Sequence, residues 1–288
     1  MKIYRGPWIA LLLTILLVLG LFLLAKRVDP NKSEKAATQK QDLIEGFDFE
    51  TYLGDVKSGL EADDKQKIEA LEDSIRNAAF FNIKPQLLEK LAVRWDSLHR
   101  LDISSSFYKQ KAELEPDVSN WIKAGDAFAF AFLMSSDSSN DQLLHYLSLN
   151  SIESYRRATE IDPENLDVRI KFASAQIDGA STAEEVMSGV QILLAIVNED
   201  SLNEQANLVL GRNNIVNGQF DKAVSRLEVV VHVNPDNEEA WFHLGEANRS
   251  LGNRERAIEC FEKFKTLTNN PALSQQIDAY IESIRNGG

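Results

Sequence analysis

The sequence predicts an all-α chain, a solenoid of stacked helix hairpins behind a single transmembrane helix, and three observations carry that prediction. A set of residues recurs at a spacing of 34 across positions 204–271. Residues 6–25, GPWIALLLTILLVLGLFLLA, carry no charge and are apolar almost throughout. Only 7 prolines and 14 glycines stand among 288 residues, 44% of them hydrophobic, which excludes disorder over most of the length.

The apolar run 6–25 spans about 30 Å as a helix at ~1.5 Å per residue, the thickness of a hydrocarbon core. Trp8 sits at one edge, where interfacial aromatics gather, and Lys26 and Arg27 close the other. A cleaved signal peptide is the competing reading. It calls for a shorter apolar region and a small-x-small site, and Leu23-Leu24-Ala25 matches that poorly. No cysteine lies near enough for a lipoprotein. Residues 26–46 have no apolar period and read as a flexible linker. Orientation draws two opposed arguments. Lys26, Arg27, Lys32, Lys35 and Lys40 outnumber Lys2 and Arg5, which by the positive-inside rule keeps the following domain cytoplasmic. An amino-terminal anchor ahead of a large domain usually exports it.

Residues 47–83 read as amphipathic helices. Phe49, Tyr52, Leu53, Val56 and Leu60 make one apolar face, and Ile68, Leu71, Ile75 and Ala78 another. In 84–117, Pro85 suits a first helical position, and Leu88, Leu91, Ala92, Trp95 and Leu98 share a face. Phe107, Ala112 and Pro116 then mark a second helix.

The clearest signal lies further on. Leu210-Gly211 recurs as Leu244-Gly245, Gly218 as Gly252 and Ala223 as Ala257. Gly218 and Gly252 permit a tight reversal, and Pro235 stops a helix. Gly211 and Gly245 are expected to face Ala223 and Ala257, letting two backbones approach closely. With Trp241, Phe261, Phe220 and Leu227, these residues resemble the tetratricopeptide repeat, a helix–turn–helix unit. The resemblance implies a right-handed α-solenoid. It covers 204–237 and 238–271 strongly, although Asn207, Asn248 and Phe264 depart from the pattern at its tryptophan, central aromatic and late alanine places. Residues 166–203 fit as a repeat with a short insertion, and 118–165 as one with lengthened helices. The latter's fourteen extra residues amount to about four turns, two expected on each helix, with an N-cap at Asn140; a long loop is the alternative. Residues 84–117 are a degenerate hairpin of the same kind, and 272–288 read as a capping helix.

Chemistry finds little support. The chain holds 31 Lys+Arg against 44 Asp+Glu, net −13, the wrong sign for displacing counterions from nucleic acid, so no nucleic-acid partner is expected. One cysteine, Cys260, rules out an internal disulfide framework and a multi-thiolate zinc site, and its helical neighbours make it a packing residue. His99, His145, His232 and His243 are scattered. Asp137 to Asp141 lacks the glycine and terminal glutamate of a calcium loop. No phosphate loop, dinucleotide fingerprint or nucleophile elbow occurs, so neither enzyme activity, metal nor cofactor is expected.

The resemblance implies a concave groove lined by the first helix of each unit, at its fifth, sixth and ninth places among others. Here these are Ile122, Lys123 and Asp126; Ile170, Lys171 and Ser174; Leu208, Val209 and Arg212; and Phe242, His243 and Glu246. They do not match the Lys/Asn set that grips a peptide carboxylate in chaperone-binding members. A mixed apolar and polar groove suits an amphipathic helix or extended peptide. An alternative is that residues 47–83 fill it. The expectation is a single-pass scaffold of a bacterial inner membrane, held in the bilayer by 6–25, binding a partner protein in assembly or chaperoning of an envelope complex. Its domain is placed on the periplasmic side, with the cytoplasmic side left open. A homo-oligomerising module is the alternative function.

Overall fold

The computed structural model describes residues 47–78, 83–135 and 140–286. The chain divides into two units, Met1–Phe49 and Glu50–Gly288. The expected anchor at 6–25 and linker at 26–46 lie outside the described residues. Among the described residues no helix is long and apolar enough to cross a membrane.

The second unit is an all-α helical-repeat solenoid. The described residues form thirteen helices: α1 Phe49–Ser58, α2 Ala62–Arg76, α3 Lys84–Ser97, α4 Leu101–Leu114, α5 Val118–Met134, α6 Asp141–Ile161, α7 Leu166–Gly179, α8 Ala183–Glu199, α9 Glu204–Val216, α10 Phe220–Val233, α11 Glu238–Ser250, α12 Arg254–Leu267 and α13 Pro271–Arg285. From α3 to α12 they pack in sequential pairs, each first helix also touching the second helix of the preceding pair.

Local chemistry starts and stops these helices. Asn140, Asn165, Asn203 and Asn237 each accept a backbone N–H three residues on, satisfying a donor the first turn leaves free. Gly218 and Gly252 close the hairpins at φ +68° and +80°, where a side chain costs about 1–2 kcal/mol. His99 takes the same left-handed conformation, φ 57°, between α3 and α4. α10 ends at Val233, two residues before Pro235.

The lengthened pair departs from its expectation. α5 has 17 residues and α6 has 21, against 13 or 14 in α9 to α12, so the first helix is longer by about one turn and only the second by two.

The close approach inside each hairpin also differs from the expected glycine–alanine pairing. A Cβ on Gly211 would lie 2.8 Å from Leu227 Cγ, and one on Gly245 would lie 2.8 Å from Phe261 Cε1. The glycine thus makes room for a large side chain four residues beyond the alanine. Ala223 and Ala257 are fully buried in the neighbouring core clusters. A helical turn separates the two positions on the second helix, and the crossing sets the larger one opposite the glycine.

Both pattern-breaking residues of the last repeat are buried for identifiable reasons. Asn248 Nδ2 donates to Leu244 O at 2.9 Å, and its Oδ1 accepts from Asn253 Nδ2 at 3.2 Å. Phe264 packs with Phe261 against Ile277, Ile281 and Ile284 of α13. Each of these isoleucines, spaced along one face, stabilises the end by about 2 kcal/mol on burial.

Helices α1 and α2 are tied to the α3–α4 hairpin. Ile68 is fully buried, Tyr52 OH donates to Asp102 Oδ2 at 2.6 Å, and Arg94 pairs with Asp64. Arg100 donates to both Tyr52 and Asp102.

Candidate partner-binding groove

The twelve residues expected to line the groove separate into two groups. Ile170 and Val209 are buried. Leu208 packs onto the cluster of Leu227, Val230 and Leu244, and Phe242 lies 5.8 Å from the Phe261 ring and 5.5 Å from that of Phe264. Ile122 is half-buried. The apolar members therefore largely support the surface from beneath.

The polar members reach the surface and are engaged by charged or polar groups, most of them on the first helix of a neighbouring repeat. Lys123 Nζ on α5 meets Glu89 Oε1 on α3 at 2.6 Å, and Lys171 Nζ on α7 meets Asp126 Oδ1 on α5 at 2.7 Å. Arg212 on α9 reaches back to Asp178 Oδ2 on α7 at 2.9 Å and forward to Glu239 Oε1 on α11 at 3.1 Å. His243 Nε2 stands 3.6 Å from the same Glu239 oxygen. Ser174 Oγ donates to Asp178 Oδ2 at 3.1 Å, and Tyr280 OH on α13 donates to Glu246 Oε1 at 2.7 Å. The result is a ladder of ion pairs joining successive first helices.

Charges respond to that arrangement. Hydrogen bonding from Lys111 and Lys123 holds Glu89 down at about 2, against burial. The close approach of the His243 imidazole, with the charge and hydrogen bond of Arg212 beside it, lowers Glu239 to about 2 as well, against burial. Burial pulls the Arg212 guanidinium down, but Asp178 and Glu239 outweigh it and the net shift is upward. Burial and the bond to Asp126 push the Tyr155 phenol far up, so it stays a neutral donor. These groups are roughly a third to a half exposed, so each rung adds only about 0–1 kcal/mol to stability. Their structural effect is to neutralise the surface.

One stretch of the ladder borders a real concavity. A cavity of about 600 Å³ opens among α5, α6, α7 and α9, lined by Asp126, Lys171, Ser174 and Arg212. Its apolar wall is Phe130 and Leu133, which are 51% and 64% exposed. Tyr155 and Ser151 complete its base. Among the described residues none of the lining comes from α1 or α2. Sequence reasoning missed Phe130 and Leu133, although the run FAFAFLM at 128–134 was the available signal. Phe128 and Ala131 of that run are buried, whereas Phe130 stands exposed at the end of the ordinary first-helix length and Leu133 on the added turn of α5. Leu208, Val209, Phe242, His243, Glu246, Ile122, Lys123 and Ile170 do not line this cavity.

Among the described residues no group of histidines, cysteines and carboxylates is arranged to hold a metal ion. Cys260 is buried in the core, and burial raises its thiol to about 11.

Residues 238–271, which form α11 and α12, match the family model of the tetratricopeptide repeat. None of the curated proteins compared matches the chain. Among solved structures it is similar to a tetratricopeptide repeat protein from Parabacteroides merdae at 13% identity and TM-score 0.56, over 85% of this chain and 86% of that one. It is also similar to PilW, a widely conserved type IV pilus biogenesis factor, at 14% identity and TM-score 0.51, over 71% and 87%. A thermophilic tetratricopeptide repeat protein of Thermus thermophilus gives 16% identity and TM-score 0.50, over 69% and 98%. At such identities the likeness is one of fold, a tetratricopeptide-type solenoid, which generally serves as a protein-interaction scaffold.

Proposed function

We propose that this chain is a membrane-tethered scaffold that holds a segment of a partner protein in the groove between α5 and α7. The observation that supports this most is the pairing of an exposed apolar wall, Phe130 and Leu133, with a neutralised polar floor at Asp126, Lys171 and Arg212. A leucine-sized side chain seated on that wall gains about 1.5–3 kcal/mol from leaving water. The rung atoms, being half in solvent, bond to the partner's peptide groups without first breaking a buried pair. Because the floor is near neutral, shape and apolar contact select the partner more than charge does.

The apolar run at 6–25 supports retention in a bacterial inner membrane. There it raises the local concentration of the groove near membrane-bound clients without adding a contact. The reading places the repeat unit on the exported side, where such a scaffold assists assembly or chaperoning of an envelope complex.

Photo-crosslinking from positions 130 and 133 of the full-length protein in its native membrane tests the site. Capture of one defined partner segment, abolished at the position 133 probe by Lys171→Glu together with Phe130→Ser, is the expected result. Capture only of residues 47–83 of the same chain, or of a second copy, would refute the partner reading. A cysteine at an exposed helix position, labelled or protected in intact spheroplasts, tests the side of the membrane.

A further inference from the structure

A second crevice, sharing no lining residue with the groove, lies between α8 and α10 and measures about 920 Å³. Its origin is one repeat position. Trp121 and Trp241 occupy the fourth place of their units, and Trp241 packs onto the Ala223, Leu227 and Val230 cluster, closing the step between its repeat and the one before. The same place in the preceding unit is Asn207. Trp241 Nε1 donates to Pro235 O at 2.8 Å, and Asn207 Nδ2 donates to the equivalent carbonyl, Ser201 O, at 3.0 Å. Asparagine thus keeps the hydrogen bond and omits the indole ring.

The omission leaves apolar surface uncovered. Met187 and Leu194 on α8 are 54% and 38% exposed and face the crevice. On the other wall stands Arg226, whose Nη1 donates to Asn207 Oδ1 at 3.0 Å. Among the described residues no carboxylate pairs with it, whereas Arg94, Arg100 and Arg212 each have one. Burial alone pulls its pKa below the usual range. A partly desolvated guanidinium next to an aromatic-sized gap is complementary to an anion and a ring together. The amide of Asn214, also on the wall, both donates and accepts, as a peptide group requires and a lipid chain does not.

We propose that the crevice between α8 and α10 is a second binding site. It takes a peptide segment of a partner protein that seats an aromatic side chain where tryptophan is missing and a nearby carboxylate on Arg226. The volume falls in the range of sites that enclose a few side chains. This site stands whether or not the groove at Phe130 binds anything.

The test uses random twelve-residue displayed peptides, selected on the detergent-solubilised full-length protein and counter-selected on its Asn207→Trp variant. The expected winners carry Trp, Phe or Tyr within two residues of Asp or Glu. A synthetic copy of the best one should lose at least tenfold in affinity to Asn207→Trp. It should lose about tenfold to Arg226→Gln, the value of one charge-assisted pair, and be indifferent to Phe130→Ser. Asn207→Trp should also raise the thermal midpoint, showing a filled crevice in a folded chain. If that variant does not fold, Arg226→Gln still decides the outcome. Winners without an aromatic or a carboxylate, affinity unmoved by Arg226→Gln, loss on Phe130→Ser, or displacement of every peptide by oleate would each overturn the proposal.

Discussion

Gly245→Ala sets two opposed effects against each other at one position. In a helix interior alanine is favoured over glycine by about 1 kcal/mol, so propensity alone makes the substitution stabilising. The structure reverses the sign. The added Cβ would sit 2.8 Å from both Cε1 and Cζ of Phe261, closer than carbon atoms approach without something shifting, and a tight 3.1 Å from Cδ1. Phe261 is fully buried and packed against Phe242 and Tyr280, with ring centroids at 5.8 and 5.2 Å, so it has little room to shift. Forcing an extra methyl into such a core costs about 1–3 kcal/mol; with two contacts at 2.8 Å the upper half of that range applies, and after the propensity gain a net loss of about 1–2 kcal/mol is left. Urea unfolding followed by tryptophan fluorescence reads it, since Trp241 lies on the same helix. The decisive comparison adds Phe261→Ala. That change alone costs about 3–5 kcal/mol by emptying a cavity. In its background Gly245→Ala should become stabilising by about 1 kcal/mol, because only propensity is left. A neutral or stabilising Gly245→Ala in the wild-type background, or the same penalty in both backgrounds, would refute the packing account of this glycine.

Gly252→Ala meets no atom within 4 Å, yet φ there is +80°, so strain alone should cost about 1–2 kcal/mol, read in the same urea titration. Acid should weaken the repeat unit through Glu89 and Glu239. Both carboxyls titrate near 2 when folded and near 4.5 in the ordinary state, so their contribution is complete above about pH 5.5 and vanishes as pH falls from 4.5 towards 2. Glu239→Gln with Glu89→Gln should flatten that limb of the stability curve. Cys260, buried and with its thiol raised to about 11, should resist a thiol reagent at pH 8 until denaturant is added; prompt labelling of the native protein would contradict its placement. Phe130→Ser with Leu133→Ser should leave the unfolding free energy from urea titration within about 0.5 kcal/mol of wild type, because both side chains are largely exposed.

The inter-repeat ladder changes how the groove is understood. A list of lysines, aspartates and arginines on first helices suggests free charges awaiting a ligand. In the folded unit Lys123, Asp126, Lys171 and Arg212 are engaged with groups 34, 29, 45 and 34 residues away, counting Tyr155 as the second partner of Asp126. Each charge is already neutralised before any partner arrives, so affinity has to come from the uncovered apolar wall.

What the sequence determined by itself is the local and periodic part of the structure. The 34-residue spacing, the turn glycines and Pro235 each act over one helical turn or one repeat, and they mark the two units within which α9 to α12 form. The amphipathic faces of α1, α2 and α3 were legible for the same reason, since helical spacing alone puts their apolar residues on one side. What only the tertiary structure decided involves residues that meet across repeats. That Gly245 faces Phe261 and not Ala257 depends on how two helices cross. That Phe130 and Leu133 stand uncovered depends on which neighbouring helices cover the C-terminal end of α5. That Asn207 leaves a crevice depends on the width of the gap between α8 and α10, which tryptophan fills in the next repeat. Spacing in the chain fixes which face of a helix a residue occupies, but what lies opposite that face is set by the packing of elements tens of residues apart.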